Sequence, residues 1–296
     1  SLLRGRHPIR RTLGRVQLRF LGLMPEFVPA LLAAYVGLGL VVGFVAGLLG
    51  VGGGLIIVPV LIFMLHAQGL AAGMEPQLAL GTSLASILFT SLSSVRAHHR
   101  HGAVEWPLVR RIAPGIVLGT LAGALLAAQM SALLLKGVFV VFLFYAAIQM
   151  WLDFKPAPQR GLPGRLGTTL AGSLIGAVSS WVGIGGGTLS VPFMLWHNVP
   201  LHRAIATSAA IGFPIALAGA AGYAVGGWGL DGLPAGSLGF VYLPALAGIV
   251  LGSVLTAPLG ARTAHRLPVR PLKRIFALLL ILLALRMAWT LQGSGN

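Results

Sequence analysis

The stretch that decides the fold is GLLGVGGGLIIVPVL at Gly47–Leu61, which returns as SWVGIGGGTLSVPFML at Ser180–Leu195. The glycine triplets Gly52, Gly53, Gly54 and Gly185, Gly186, Gly187 lie 133 positions apart, and so do Pro59 and Pro192. A second pair keeps the same offset: Gly115–Thr120 reads GIVLGT and Gly248–Ser253 reads GIVLGS. Thr82-Ser83 and Thr207-Ser208 recur between them with a small shift that loop length explains. Recurrence at a fixed interval is the signature of an internal duplication.

Outward from each triplet the chain is apolar. Hydrophobic residues make up 56% of the 296 positions and charged residues 9%, with a mean hydropathy of +0.91, a balance foreign to a domain that must stay in water. From Phe27 to Met74 there is no Asp, Glu, Lys or Arg. Comparable clean runs recur to the end of the chain, each near or above the roughly 20 residues that cross a hydrocarbon core. Recurrence distinguishes them from a secretory signal, which is one short apolar segment near the start. The runs lack a period of two, so a transmembrane β-barrel does not fit.

Five apolar segments fall in each copy, at 28–49, 54–71, 78–96, 107–128 and 134–152, then 166–183, 187–199, 204–225, 239–261 and 273–290. The expected fold is an all-α polytopic membrane protein of two inverted repeats, each of about five segments with a Gly-rich broken helix. The organisation reads as a basic amino-terminal arm (1–26), transmembrane repeat 1 (27–153), a linker (154–164), transmembrane repeat 2 (165–290) and a carboxy-terminal tail (291–296). An odd number of segments per repeat places the second copy upside down.

Charge supports the inversion. The loop between segments three and four of repeat 1 carries Arg96, Arg100, Arg110 and Arg111 with His98, His99 and His101, whereas its counterpart, Val225–Leu238, carries Asp231 and no basic residue. At the next loop the bias reverses: Ala128–Leu135 is neutral, while Arg262, Arg266, Arg270, Lys273 and Arg274 crowd the equivalent stretch. Basic loops stay cytoplasmic, so the exchange is what inverted halves require. One feature disagrees: Arg4, Arg6, Arg10, Arg11, Arg15 and Arg19 would lie outside in a ten-span protein. An interfacial amino-terminal helix, or eight or nine spans with re-entrant hairpins, answers it equally well.

The formal charge of +16 suggests a nucleic-acid partner, but its residues sit in clusters between apolar runs and no soluble domain remains to carry that role. The partners expected are lipid and a small anionic substrate; oligomeric state is unreadable. No cysteine is present, which excludes disulfides and thiolate chemistry. No cofactor and no metal is expected: the three loop histidines sit among arginines that repel a cation. Neither HExxH nor GxSxG nor a carboxylate pair points to an enzyme.

An unwound GVGGG cannot face lipid tails, because its N–H and C=O groups would go unsatisfied; it must be buried in protein or line a wet cavity. Two breaks at matching positions of inverted repeats meet near the bilayer midplane. A helix starting after each break points its free N–H groups and positive dipole end at the break, a geometry that binds anions. Gly52, Gly53, Gly54, Gly185, Gly186 and Gly187 are therefore the expected substrate-binding backbone, with Thr82, Ser83, Thr207 and Ser208 as hydroxyl donors. Hydroxyls bonded back to their own helices are the bland alternative. Pro59 and Pro192 keep the following helices short or kinked. His66 and His197, near the far ends of those helices, are candidates for proton transfer, and Arg286, inside the last segment, for attracting the anion; interfacial histidines and a snorkelling arginine compete with both. The acids Glu26, Glu75, Glu105, Asp153 and Asp231 all lie at segment ends or in loops, so no buried carboxylate relay is expected.

The duplicated GxGGGxxxxP pattern, GVGGGLIIVP at 50–59 and GIGGGTLSVP at 183–192 with the Thr-Ser pairs downstream, resembles the TauE/SafE, or sulfite exporter, family. The resemblance implies a bacterial inner-membrane permease for a sulfur-containing anion such as sulfite or an organosulfonate. A channel, or a non-transporting membrane enzyme or assembly subunit, is the alternative, and uniport and proton coupling both remain open.

Overall fold

The computed structural model describes residues 29–48, 53–100, 102–153, 161–264 and 269–293. Ten helices account for nearly all of them: α1 (Pro29–Leu48), α2 (Gly54–Ala67), α3 (Glu75–Arg100), α4 (Trp106–Gln129), α5 (Ala132–Leu152), α6 (Arg165–Val182), α7 (Gly187–Trp196), α8 (Leu201–Gly226), α9 (Leu243–Ala264) and α10 (Val269–Gly293). A backbone in lipid must bond to itself, and helices achieve this within one segment. Seven are long and apolar enough to cross a bilayer; α6 has 18 residues, and α2 and α7 have 14 and 10. At 1.5 Å per residue α2 is about 21 Å long and α7 about 15 Å, against about 30 Å of hydrocarbon. The expected segment count holds, with the short members immediately after the glycine triplets.

Side chains sort each helix into a lipid face and a protein face. On α6, Leu166, Leu170 and Leu174 point outward one turn apart, while Gly172 and Gly176 face α4. Gly115, Gly119 and Gly123 of α4 answer them: a Cβ on Gly119 would stand 2.0 Å from the Ser173 carbonyl oxygen. Small residues four apart let two backbones touch, which is how membrane helices gain dispersion contact without a hydrophobic effect between them. Gly39 and Gly43 of α1 meet Gly248 and Gly252 of α9 in the same manner, 133 positions from Gly172, Gly176, Gly115 and Gly119. The repeated GIVLG motif is thus a close helix crossing made twice, each time across the two halves.

Contact order along the helices gives their directions. Gly81 lies against Tyr223, Leu84 against Gly219 and Ser91 against Gly212, so α3 and α8 run antiparallel. Lys273 Nζ donates to Asp153 Oδ1 at 2.6 Å, joining the end of α5 to the start of α10, which also run antiparallel. By contrast α4 and α6 are parallel, as are α1 and α9. The expected fourth segment of repeat 2 begins later than its apolar run: residues 237–242 form a two-strand hairpin, β1 (Ser237–Leu238) with β2 (Val241–Tyr242), and α9 starts at Leu243. Phe240 is buried at its tip and its N–H donates to Tyr223 O at 3.1 Å, which explains why a turn is so apolar.

Candidate functional site

The second glycine break is described completely. Helix α6 stops at Val182, and Gly183 leaves it with φ +68°, the left-handed conformation that ends many helices at a glycine. Ile184 N–H then returns to Ser179 O at 3.1 Å. Gly186 caps α7 at φ +77°, a conformation in which an L side chain costs roughly 1–2 kcal/mol. The N–H groups of Leu189 and Ser190 close onto Gly186 O at 3.0 and 2.8 Å, so the N–H groups of Gly187 and Thr188 are left without an acceptor among the described residues. They stand at the positive end of α7.

In the first break, Gly52 lies outside the described residues, with its neighbours 49–51. Gly53 caps α2 in an ordinary helical conformation, its carbonyl accepting from Ile56 and Ile57. The two breaks touch: a Cβ on Gly54 would stand 2.1 Å from Gly183 O. Apolar side chains close the surroundings, with Val42 against Gly53, Val58 and Leu80 against Gly183, Ile87 against Gly185 and Ile215 against Gly186.

All four hydroxyls expected as donors are buried and all four have protein partners. Thr82 Oγ1 accepts from Tyr242 N–H at 2.9 Å, and Thr207 Oγ1 accepts from Glu105 N–H at 3.0 Å. Each threonine thus holds the residue just before a helix of the other half, α9 or α4. Ser83 Oγ donates to Gly183 O at 2.8 Å, reaching the second break from the first repeat. Ser190 Oγ donates to Ser208 Oγ at 2.8 Å within the second repeat. Pro59 and Pro192 lie inside α2 and α7, and α7 ends four residues beyond its proline.

His66 is exposed in the last turn of α2, its Nδ1 3.3 Å from Glu75 Oε1, while His197 caps the end of α7 with Nδ1–H donating to Phe193 O at 2.7 Å. That bond leaves Nε2 of neutral His197 as the acceptor nitrogen. His197 lines a cavity of about 300 Å³ with Glu105, Arg111, Asn198 and Pro200. Arg203 pairs with Glu105 beside it, a link between the halves that sequence reading did not anticipate. The Arg286 guanidinium stacks over the Phe63 ring at 4.5 Å, on α2 rather than at a break. Gln149, near the end of α5, donates to Thr188 O at 3.4 Å. Among the described residues no three His, Asp or Glu side chains gather as metal ligands.

Two further hydroxyls at the break were missed. Ser179 Oγ and Thr188 Oγ1 are buried without a hydrogen-bond partner. Their only signal in sequence was position, Ser179 one turn before Gly183 and Thr188 next after the triplet.

Among the described residues, seven helices long and apolar enough to cross a bilayer, packed through glycine, define a multi-pass membrane protein, and its relatives place it among membrane transporters. Residues 35–287 match the profile described as sulfite exporter TauE/SafE, and the chain belongs to that family. It is 38% identical over 251 residues to a "Probable membrane transporter protein" of Haemophilus influenzae, covering 84% of this chain and 95% of that protein. It is 28% identical over 273 residues to "Probable membrane transporter protein YunE" of Bacillus subtilis, covering 85% and 95%. No solved structure matches.

Proposed function

We propose that the chain is a secondary carrier of a small sulfur-containing anion, sulfite or an organosulfonate, residing in the inner membrane and exporting its substrate by alternating access. The observation that carries this reading is the contact of the two glycine breaks, Gly54 on Gly183, with free N–H groups of α7 beside them. Backbone donors at Gly52, Gly53, Gly54, Gly185, Gly186 and Gly187 would hold the anion, with Thr82, Ser83, Thr207 and Ser208 shaping the walls. The antiparallel courses of α3 against α8 and of α5 against α10 support inverted halves, and rocking of one against the other would expose the site to each side in turn. A membrane potential negative inside favours anion exit by about 2.3 kcal/mol per charge per 100 mV, so export can proceed without a coupled ion. No chemical conversion belongs to this reading.

The test is efflux of sulfite and of sulfoacetate from proteoliposomes under an imposed potential, wild type against Gly186→Leu. Saturable, potential-sensitive efflux with counterflow, lost in the variant while it still elutes as folded protein, is expected. Equal efflux in Gly186→Leu would remove the break from the mechanism, and non-saturating flux would make the protein a channel.

A further inference from the structure

In membrane protein interiors a buried hydroxyl without a partner is costly, and two such groups flanking one helix start call for an explanation. Ser179 is fully buried, and its Oγ lies 3.6 Å from where a Cβ on Gly186 would stand, so it is aimed at the cap of α7. Thr188 is 7% exposed and sits in the first turn of α7, its Oγ1 equally without a partner. The N–H groups of Gly187 and Thr188, in the same turn of α7, are also without an acceptor among the described residues. Two hydroxyls and two N–H groups thus stand without partners at the turn where the dipole of α7 is positive. By contrast, Ser180 Oγ, one residue along, bonds to Ala177 O in its own helix at 2.7 Å. The hydroxyls are one-sided: at the corresponding positions of the first repeat, 133 residues earlier, stand Ala46 and Leu55, whose side chains donate nothing.

Resting on the carrier reading above, we propose that the side-chain donors to the anion come from the second repeat alone, the hydroxyls of Ser179 and Thr188, acting beside the N–H groups of Gly187 and Thr188. The headgroup it selects is a singly charged oxyanion, such as hydrogen sulfite or a sulfonate. Selection for one charge follows from the donor set. The side chains nearest the glycines of the second break are Val58, Leu80, Ile87, Ile175 and Ile215 with the hydroxyls of Ser83 and Ser179, and Gln149 reaches Thr188 O; none of these is a cation. Neutral donors and a helix dipole of about half a charge compensate one negative charge in an apolar enclosure; a dianionic centre would keep a second charge desolvated and unpaired. Gly54, seated on Gly183 O, closes the site from the first repeat without contributing a side chain. Hydroxyl donors on one half only make the two repeats unequal in role despite their common origin.

The experiment uses the full chain, purified in detergent for calorimetric titration with methanesulfonate and reconstituted for sulfite counterflow. Loss of one donor to a charged ligand is expected to weaken binding roughly 10- to 100-fold. Ser179→Ala and Thr188→Val should each show that loss, Thr188→Ser should recover most of it, and Ser180→Ala should shift affinity less than about twofold. Sulfate at the same concentration should not displace methanesulfonate. Wild-type affinity in both Ser179→Ala and Thr188→Val, with binding intact in the parent, would overturn the assignment and leave the carrier reading standing. Displacement by sulfate as effective as by methanesulfonate would overturn the charge selection. A wild type that neither binds nor moves any of these anions would overturn the carrier reading and this site with it.

Discussion

Replacing Gly119 by alanine should destabilise the protein, whereas the same change at Gly137 should not. A Cβ at Gly119 would lie 2.0 Å from Ser173 O on the facing helix, and an ordinary carbon–oxygen contact is about 3.3 Å, so α4 and α6 must part locally by about 1.3 Å. The obstacle is backbone, which cannot rotate aside. A gap of 0.5–1 Å already forfeits a quarter to a half of the dispersion well of each atom pair along the crossing. Overpacking of this kind costs about 1–3 kcal/mol. Gly137, inside α5, has nothing within 4 Å of its own Cβ position. Both substitutions gain the same helix preference of alanine over glycine, about 0.5–1 kcal/mol, so it cancels when the two variants are compared. The expected difference is therefore the overpacking term alone. Unfolding of the purified variants in mixed micelles of denaturing and mild detergent, followed by tryptophan fluorescence, measures it. If Gly119→Ala unfolds at the same or a higher denaturing fraction than Gly137→Ala, the crossing is not the tight contact described above. Gly252→Ala, whose Cβ would stand 2.3 Å from Val36 O in the equivalent crossing, should behave like Gly119→Ala.

Thr82→Val and Thr207→Val each strand a backbone N–H, of Tyr242 and Glu105 respectively, and should each lower stability by about 1–3 kcal/mol, with serine at the same position restoring most of it in the same assay. Glu105→Gln breaks the pair with Arg203, but both side chains are a third or more exposed, so the loss should stay under about 1 kcal/mol and vanish in high salt; a larger, salt-insensitive loss would mean the pair is far better shielded than its exposure suggests. Because the chain has no cysteine, single cysteines report sidedness cleanly: Asp231→Cys should react with an impermeant maleimide from outside whole cells and Arg111→Cys only after lysis. Labelling of both from one side contradicts inverted halves.

The helices were legible in the sequence because lipid leaves a chain few alternatives: all ten begin within about four residues of their apolar run, and α2 and α7 start at Gly54 and Gly187, as the triplets implied. The hairpin at 237–242 was not legible, since its buried Phe240 and Tyr242 extend the apolar run of α9 and composition does not distinguish a buried turn from a helix start. The glycines were recognised, but their partners were not. Gly119 reads like any helical glycine until Ser173 is placed against it. The hydroxyls divide for the same reason: Thr82 and Thr207 look like donors in sequence, whereas the partners that engage them lie 160 and 102 residues away. Ser179 and Thr188 were passed over because a lone hydroxyl in an apolar helix ordinarily bonds to its own backbone, and only the folded chain shows that these two do not.

The shortness of α7 has an electrical meaning. Its roughly 15 Å covers half the hydrocarbon thickness, and the cavity of about 300 Å³ beside His197 begins where the helix ends. If water fills that space, it carries the potential of the adjoining solution inward, and the voltage drop concentrates across the thin plug formed by the packed glycines. A charge that crosses this plug traverses most of the membrane field within one small displacement of the halves, so the voltage sensitivity of transport would reside in a few ångströms of backbone rather than along the whole path of the ion.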